Sequence, residues 1–178
     1  MRRIKPSIRV TLKVTPKAKG KENFMILTSK ETDYLKDLKS AEELCIEKYT
    51  RYAKEAKCTD LKNLFDCIAQ TERGHLKVIG DMMAGNEPTP PTGTTEANGC
   101  QWCHGCASVY SNAENKKCDQ FLLSDMLSTE KHVSSVYDTG VFEFRSPAMR
   151  KMLSHIQTEE QQHGEMLYKF MSENAMYC

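Results

Sequence analysis

The sequence predicts an all-α protein whose 178 residues form one four-helix bundle. Three observations lead to this prediction. Apolar residues recur every three or four positions in four long stretches, which is the spacing of one helix face. A segment rich in Pro, Gly, Asn and Thr separates the first two stretches from the last two. Many residues of the first pair recur 88 positions later in the second pair, which indicates two copies of one helical hairpin.

The first hairpin is predicted from the apolar faces of its two helices. The first helix carries Leu35, Leu38, Cys45, Tyr49 and Tyr52, and the second carries Leu61, Leu64, Ile68, Ile79 and Met82. Asp60 precedes the apolar face of the second helix, and a short acidic side chain is a good N-cap. We therefore expect the second helix to begin at Asp60.

The second hairpin follows a long connection, which is predicted as a Cys-rich crossover over residues 84–118. The third helix then carries Leu123, Met126, Val133, Tyr137 and Phe144, and the fourth carries Met149, Met152, Ile156, Leu167 and Phe170. Pro147 is expected in the first turn of the fourth helix. A connection of this length can run along the bundle, since a helix of about 22 residues is roughly 33 Å long.

The N-terminal region differs in charge from the rest of the chain. Residues 1–21 contain eight Lys or Arg and no Asp or Glu. Aromatic residues are not interleaved with these charges, so we expect a solvated, disordered tail over residues 1–27 and no nucleic-acid partner. The bundle is then predicted over residues 28–178. Met25 opens a stretch typical of a protein start, so residues 1–24 are interpreted as a mis-assigned translation start.

The apolar content of the chain bears on its location. No apolar run reaches about 18 residues, so no membrane partner is expected. Apolar and polar residues alternate near the N-terminus, so we expect synthesis in the cytoplasm without a signal peptide. The eight cysteines are too few for a disulfide scaffold. They are expected to be free thiols, metal ligands or later cross-links.

Six acidic or imidazole side chains interrupt the apolar faces. Each half supplies one Glu from its first helix and a Glu-x-x-His from its second: Glu42, Glu72, His75, Glu130, Glu160 and His163. Residues three apart lie on one helix face, so the two side chains of each Glu-x-x-His pair can bind the same ion. In a bundle, all six would reach one level of the core, where two divalent cations would neutralise four carboxylates. The alternative is a polar core layer in which Glu and His pair with each other and some carboxyls are protonated.

The donor types limit the choice of metal. Oxygen and nitrogen ligands without a thiolate favour two iron ions, with manganese or zinc as alternatives. Glu159 lies off the apolar stripe and is expected to be solvated, and His155 is expected at the surface or its boundary. Two further acidic residues off the stripe, Glu43 and Glu47, are also expected to be solvated.

The connection carries a second motif, "CQWCHGC", in which two residues separate Cys100 from Cys103 and Cys103 from Cys106. Cys118 lies farther on. One interpretation is an iron–sulfur or zinc site that uses Cys118, although the close fourth Cys and the following Pro of a ferredoxin motif are absent. A second interpretation is a thiol loop that cross-links the protein in an assembly. A third is that the thiols stay reduced and have no role.

Over residues 34–171 the chain resembles the ferritin-like superfamily, with all six ligand positions present. The closest resemblance is to the spore coat protein F (coat F domain) family, on "DYLKDLKSAEELCIEKYTRYA", "LSDMLSTEKHVSSVYDTG" and "SPAMRKMLSHIQTEEQQHGEMLYKFM". Rubrerythrins are more distantly similar: their additional third-helix glutamate is replaced here by Leu127, and their two Cys-x-x-Cys pairs are absent. In ferritin-like sites, tyrosines placed like Tyr49 and Tyr137 orient ligand carboxylates across the bundle. Their alternative role is core packing.

The resemblance and the ligand set together imply a function. We expect a spore coat component with a di-iron site, deposited in the spore coat, whose partners are other coat proteins or further copies of itself. The alternative is a rubrerythrin-like di-iron oxidoreductase of the peroxidase or ferroxidase type, acting on peroxide or oxygen. The sequence leaves open whether the protein is an enzyme.

Overall fold

The computed structural model describes residues 25–91 and 110–177. Within these ranges the chain forms four helices: α1 (Ser29–Glu55), α2 (Thr59–Met83), α3 (Ala113–Glu143) and α4 (Pro147–Glu173). Helix α1 packs along α2, α3 packs along α4, and α1 also contacts α3. The prediction of an all-α bundle of four helices is confirmed for the described residues. The finer prediction, a ferritin-like duplication of one hairpin, stays a prediction.

Three predicted features lie outside the described residues in whole or in part. They are the greater part of the basic tail, the middle of the crossover connection with Cys100, Cys103 and Cys106, and the C-terminal Cys178. The end of the connection is described, and there the boundary differs from the prediction. Helix α3 begins at Ala113, so residues 113–118 are helical. It begins early because the side chain of Asn112 accepts a hydrogen bond from the Glu114 backbone N–H at 2.7 Å and caps the helix.

The starts of α1 and α4 follow ordinary capping rules. Thr28 and Glu31 form a capping box, in which the Thr28 hydroxyl accepts from the Glu31 N–H at 3.2 Å and the Glu31 carboxylate accepts from the Thr28 N–H at 2.8 Å. Ser146 caps α4, and Pro147 occupies the first turn as predicted. These caps position the helices that carry the first and last of the polar core residues.

The start of α2 was predicted wrongly. Helix α2 begins at Thr59 after Cys58, and no side chain caps it locally. Asp119, at the start of α3, accepts hydrogen bonds from the backbone N–H groups of Lys57 at 2.8 Å and Cys58 at 2.9 Å. A buried carboxylate from the other hairpin therefore fixes the turn that leads into α2, and Asp60 is not the N-cap.

An equivalent contact holds the opposite end of the bundle. Glu31, which lies 88 residues before Asp119, accepts a hydrogen bond from the backbone N–H of Arg145 at 3.0 Å, and the Arg145 guanidinium contacts the same carboxylate. Arg145 lies in the turn between α3 and α4, as Lys57 lies in the turn between α1 and α2. The first helix of each hairpin thus binds the turn of the other hairpin.

The core consists of two apolar clusters at opposite ends of the bundle. One contains Tyr49, Phe65, Leu123, Leu167 and Phe170, and the other contains Leu35, Leu38, Ile79, Tyr137 and Ile156, each with further buried neighbours. Burial of one large apolar side chain contributes about 1.5–3 kcal/mol, so these clusters dominate the stability of the bundle. The polar core residues lie between the two clusters along the helices. None of the described helices is long and apolar enough to cross a membrane.

Candidate metal centre

Each of the four helices contributes to one buried polar cluster. Glu42 comes from α1, Glu72 and His75 from α2, Glu130 from α3, and Glu160 and His163 from α4. All six side chains are at most 3 % exposed. The structure therefore brings together all six residues that the sequence predicted as ligands of the metal pair. Helical spacing explains this, since each of the six occupies a position where the apolar stripe of its helix continues above and below.

The cluster divides into two groups that share two members. One group contains Glu42, Glu72, His75 and Glu160, and the other contains Glu72, Glu130, Glu160 and His163. In each group, one ligand atom from every residue lies within 4.8 Å of the others, so each group could hold a metal ion. Glu72 and Glu160 belong to both groups. Their carboxylates therefore lie between the two positions.

The first imidazole turns its Nδ1 atom toward the carboxylates. His75 Nδ1 lies 3.0 Å from Glu72 Oε2, 3.0 Å from Glu160 Oε1 and 3.7 Å from Glu42 Oε2. Its opposite atom, Nε2, lies 3.0 Å from Glu159 Oε2. His75 is thus held between the polar cluster and a carboxylate outside it.

The second imidazole has the same orientation toward the cluster. His163 Nδ1 lies 3.1 Å from Glu72 Oε1, 3.5 Å from Glu160 Oε2 and 3.7 Å from Glu130 Oε2. Despite these distances, His163 Nδ1 forms no hydrogen bond to a described residue. The rings of His75 and His163 are stacked with their centres 5.8 Å apart.

Several buried polar atoms of the cluster lack a hydrogen-bond partner within the described residues: Glu42 Oε2, Glu72 Oε1, Glu130 Oε2, both carboxylate oxygens of Glu160, and His163 Nδ1. Leaving one such group unsatisfied costs about 1–3 kcal/mol, and more if it is charged. Each of these oxygens lies 3.0–3.7 Å from an imidazole Nδ1 atom. The cluster could therefore hold cations in place of the protons of the imidazoles.

The four carboxylates have unlike proton affinities. Burial raises the pKa of Glu42 to about 8 and raises that of Glu130 well above its ordinary value. Burial also acts on the shared carboxylates, Glu72 and Glu160, but their attraction to the two nearby imidazoles outweighs it and lowers both pKa values. Two carboxyls of the metal-free cluster are therefore protonated near neutral pH and two are ionised.

The two imidazoles complete the charge balance. Burial lowers the pKa of His75 and His163, but the surrounding carboxylates more than compensate and raise both well above the ordinary value. In the metal-free chain, two imidazolium ions thus neutralise two carboxylates. Divalent cations would replace the protons without a net change in charge, because four carboxylates balance two such ions.

Two tyrosines cross from one hairpin to the other at this level. The Tyr49 hydroxyl on α1 donates to Glu130 Oε1 on α3, and the Tyr137 hydroxyl on α3 donates to Glu42 Oε1 on α1. Both side chains are fully buried, and burial raises their pKa values well above the ordinary range. The hydroxyls therefore stay protonated and act as donors, so each orients one carboxylate of the cluster.

Glu159 was not identified as part of the site from the sequence. It was expected to be solvated, but its carboxylate contacts His75 Nε2, and His155 Nε2 lies 3.4 Å from the same oxygen. Burial would raise the pKa of Glu159, but the hydrogen bond from His75 lowers it. The three residues line a groove of about 540 Å³ on the surface of α2 and α4. The spacing of His155 and Glu159 is visible in the sequence, whereas the approach of His75 from α2 appears only in the packed bundle.

The described cysteines do not join the cluster. Cys45 is buried, and burial raises the pKa of its thiol, while Cys118 is an exposed free thiol. Cys67 is disulfide-bonded. No metal-holding group among the described residues contains a cysteine. The prediction of an iron–sulfur or zinc site at Cys100, Cys103, Cys106 and Cys118 stays a prediction, since the first three lie outside the described residues.

One comparison with known proteins gives a match. Residues 118–177 match the family model of the Coat F domain, which is about a third of the chain. The matched segment contains α3 from Cys118 onward and all of α4, and it includes Glu130, Glu160 and His163. This supports the spore coat F family and suggests a location in the spore coat. No curated protein and no solved structure matches the chain.

Proposed function

We propose that this chain is a spore coat component of the coat F type whose ferritin-like bundle binds two metal ions, with iron as the expected pair. One observation carries the metal centre: six buried side chains form two four-residue groups that share Glu72 and Glu160. The match of residues 118–177 to the Coat F domain supports the location.

In this proposal each residue has a distinct place in the centre. Glu42 and His75 would hold one ion, Glu130 and His163 would hold the other, and Glu72 and Glu160 belong to both groups. Four carboxylates neutralise two divalent ions. Oxygen and nitrogen donors without a thiolate favour iron or manganese, with zinc as an alternative. A bound iron pair supplies electrons for chemistry with oxygen or peroxide.

The chain itself contributes orientation and the exclusion of water. Tyr49 and Tyr137 orient Glu130 and Glu42, and Glu159 orients the ring of His75 through Nε2. The two apolar clusters above and below the site exclude water, which strengthens the attraction between the ions and the carboxylates. Leucine at these six positions would give a more stable bundle, so retention of the polar set favours a metal role over a purely structural one.

As a coat component, the protein is proposed to contact other coat proteins or further copies of itself. Phe121 and Phe142 are large apolar side chains with most of their surface exposed, and Cys118 offers a free thiol at the surface. These groups support assembly through apolar contacts and cross-links.

A second candidate function is a rubrerythrin-like oxidoreductase acting on peroxide or oxygen. The favouring observation is a groove between α3 and α4 that reaches Glu130 and Glu160, because it gives a small oxidant access to the centre. Leu127, which replaces the additional glutamate of rubrerythrins, lines the same groove. The two functions are compatible, since a coat protein can remove peroxide at the spore surface.

Metal analysis tests the proposal. Protein expressed in iron-supplemented medium is compared with the His75→Ala/His163→Ala double variant and with His132→Ala, a histidine on the exposed face of α3. We expect about two irons per chain in the wild type and the control, and almost none in the double variant. A folded wild type that binds no more metal than the double variant would refute the metal centre.

Two further measurements separate the coat and enzyme functions. Immunogold labelling of sporulating cells is expected to place the protein in the coat. Peroxide is then added to the iron-loaded, reduced protein. A coat component without enzyme activity is expected to be oxidised once, whereas an enzyme is expected to consume peroxide repeatedly when an external reductant is supplied. Labelling confined to the mother-cell cytoplasm would contradict the coat proposal.

A further inference from the structure

The groove between α3 and α4 has a buried inner end and an exposed mouth. Its volume is about 460 Å³. The buried residues Glu130, Glu160 and Leu127 line its inner end, and the exposed Tyr168 and Tyr177 stand at its mouth. This volume lies in the usual range of small-molecule sites and far exceeds what oxygen or peroxide needs. The groove therefore has room for an organic molecule beside the metal centre.

Gly164 is the residue that leaves this groove open. A Cβ atom at Gly164 would lie 3.7 Å from Leu127 Cδ1 and 3.9 Å from Glu130 Cβ, which are ordinary contact distances. Its backbone has ordinary helical geometry, so neither packing nor conformation requires glycine here. Glycine inside a helix costs about 1 kcal/mol relative to alanine. Position 76, which lies 88 residues earlier, carries leucine.

The polar groups of the groove define the chemistry of its occupant. Lys131 lines the mouth and forms no ion pair within the described part of the chain, whereas the nearby Glu165 is paired with Lys169 at 2.7 Å. At the inner end, Glu130 Oε2 and both oxygens of Glu160 are inaccessible to solvent. The groove thus offers a cation at its mouth as its charged binding group.

The walls between these ends are apolar. Leu127 and the backbone of Gly164 line the interior, and the rings of Tyr168 and Tyr177 pack edge to face with their centres 5.0 Å apart. Aromatic rings arranged in this way offer a flat and rigid contact surface. A ligand with a planar apolar body and an anionic group at one end would satisfy both parts of the groove.

We propose that the groove between α3 and α4 binds an aromatic carboxylate, with the carboxylate at Lys131 and the ring on Leu127, Tyr168 and Tyr177. The inference deepens the proposed function, since it places an organic ligand beside one face of the metal centre. Binding to the metal-free chain does not rest on the metals, so the two proposals can fail separately.

Ligand binding to the full metal-free chain tests the inference. The probe is 4-hydroxycinnamate, followed by calorimetry and by fluorescence of the tyrosines. Gly164→Leu introduces into the groove the side chain that position 76 already carries, and we expect it to weaken binding about tenfold or more. Lys131→Gln is expected to weaken binding several-fold. Tyramine, which has an ammonium in place of the carboxylate, is expected to bind more weakly than 4-hydroxycinnamate to the wild type.

Gly80→Leu is the matched control, because Gly80 is also helical and has open space around its Cβ position. It makes the same chemical change outside the groove and should leave binding unchanged. Circular dichroism and iron content check that every variant is folded. Equal affinity in wild type and Gly164→Leu, or no binding by the wild type, would overturn the groove as a ligand site. If Gly164→Leu loses binding of the ligand and the wild type takes up no metal, the groove is supported and the metal centre is refuted.

Discussion

The two hairpins of this bundle agree in some respects and differ in others. Three features recur at positions 88 residues apart. They are the ligands of the polar cluster, the tyrosines that donate to a carboxylate of the other hairpin, and the buried carboxylates that bind the turn of the other hairpin. The positions at which the hairpins differ include Leu76 and Gly164, Thr71 and Glu159, Cys67 and His155, and Tyr52 and Gly140. The shared positions join the hairpins and gather the ligands, whereas the unlike positions control access and surroundings.

The unlike positions make the two proposed metal positions inequivalent. His75 is held by Glu159 on α4, while the position equivalent to Glu159 carries Thr71, which has no charge. A carboxylate behind an imidazole raises its basicity and strengthens its bond to a metal. The two halves therefore provide the same ligands in different surroundings.

The largest effect is expected from the two shared carboxylates. Removal of Glu72 or Glu160 by substitution with Ala takes a ligand from both groups, so iron content should fall from about two per chain to nearly none. Glu42→Ala removes a ligand from one group only and should leave about one iron. Elemental analysis after desalting measures this, with the exposed Glu47→Ala as control. Equal losses for Glu42→Ala and Glu160→Ala would contradict a shared role.

The next effect concerns the contact that only one half has. Glu159→Gln should weaken metal binding at the His75 position about 10- to 100-fold, because the imidazole loses its charged partner. Thr71→Val, the matched change at the equivalent position, should have little effect on the other ion. Competition with a chelator, read separately for the first and second ion, gives both values. If Glu159→Gln binds both ions as tightly as the wild type, the orienting role is refuted.

A third effect concerns packing between the hairpins. A Cβ atom at Gly140 would lie 2.8 Å from Cε1 of Tyr34, whose hydroxyl is held by the carbonyl of Val136 at 2.6 Å. Gly140→Ala should therefore destabilise the bundle by about 1–3 kcal/mol, because the ring cannot move away freely. Urea unfolding measures the change. Gly80→Ala, where the space is open, should instead stabilise the helix, and the same sign for both variants would contradict the packing argument.

The smallest effect is expected at the capping carboxylate Glu31. Burial would raise the pKa of Glu31, but hydrogen bonds from Arg145 and Thr28 lower it from 4.5 to about 2. A lowered folded-state pKa stabilises the fold above pH 4.5, and this contribution is lost as the pH falls toward 2.

Glu31→Gln should accordingly cost about 1 kcal/mol at pH 7, reduced from the full value because Arg145 is largely exposed. The difference from wild type should shrink steadily between pH 4.5 and pH 2 in urea unfolding experiments. A difference that does not depend on pH would show that the ionised form of Glu31 contributes nothing.

The sequence was most informative about features that recur with the period of a helix. Four helices and the convergence of Glu42, Glu72, His75, Glu130, Glu160 and His163 follow from apolar stripes interrupted at equivalent positions. The start of α2 was missed because no local side chain caps it, and Asp119, about 60 residues away in the chain, instead binds the N–H groups of the two residues that precede the helix. Glu159 was missed because the position of a residue on its own helix does not reveal which neighbouring helix approaches it. The groove at Gly164 was missed for a related reason, since empty space appears only when two helices pack.

The crossed tyrosines have a consequence for how the helices align. Stripes of Leu, Ile and Met can slide past one another by a turn at little cost, because one apolar contact resembles the next. Tyr49 with Glu130 and Tyr137 with Glu42 join two antiparallel helices at points seven residues apart, so any axial shift breaks both bonds. A buried polar layer of this kind specifies a single register for the bundle. The helices would therefore reach one alignment during folding, before any metal is bound.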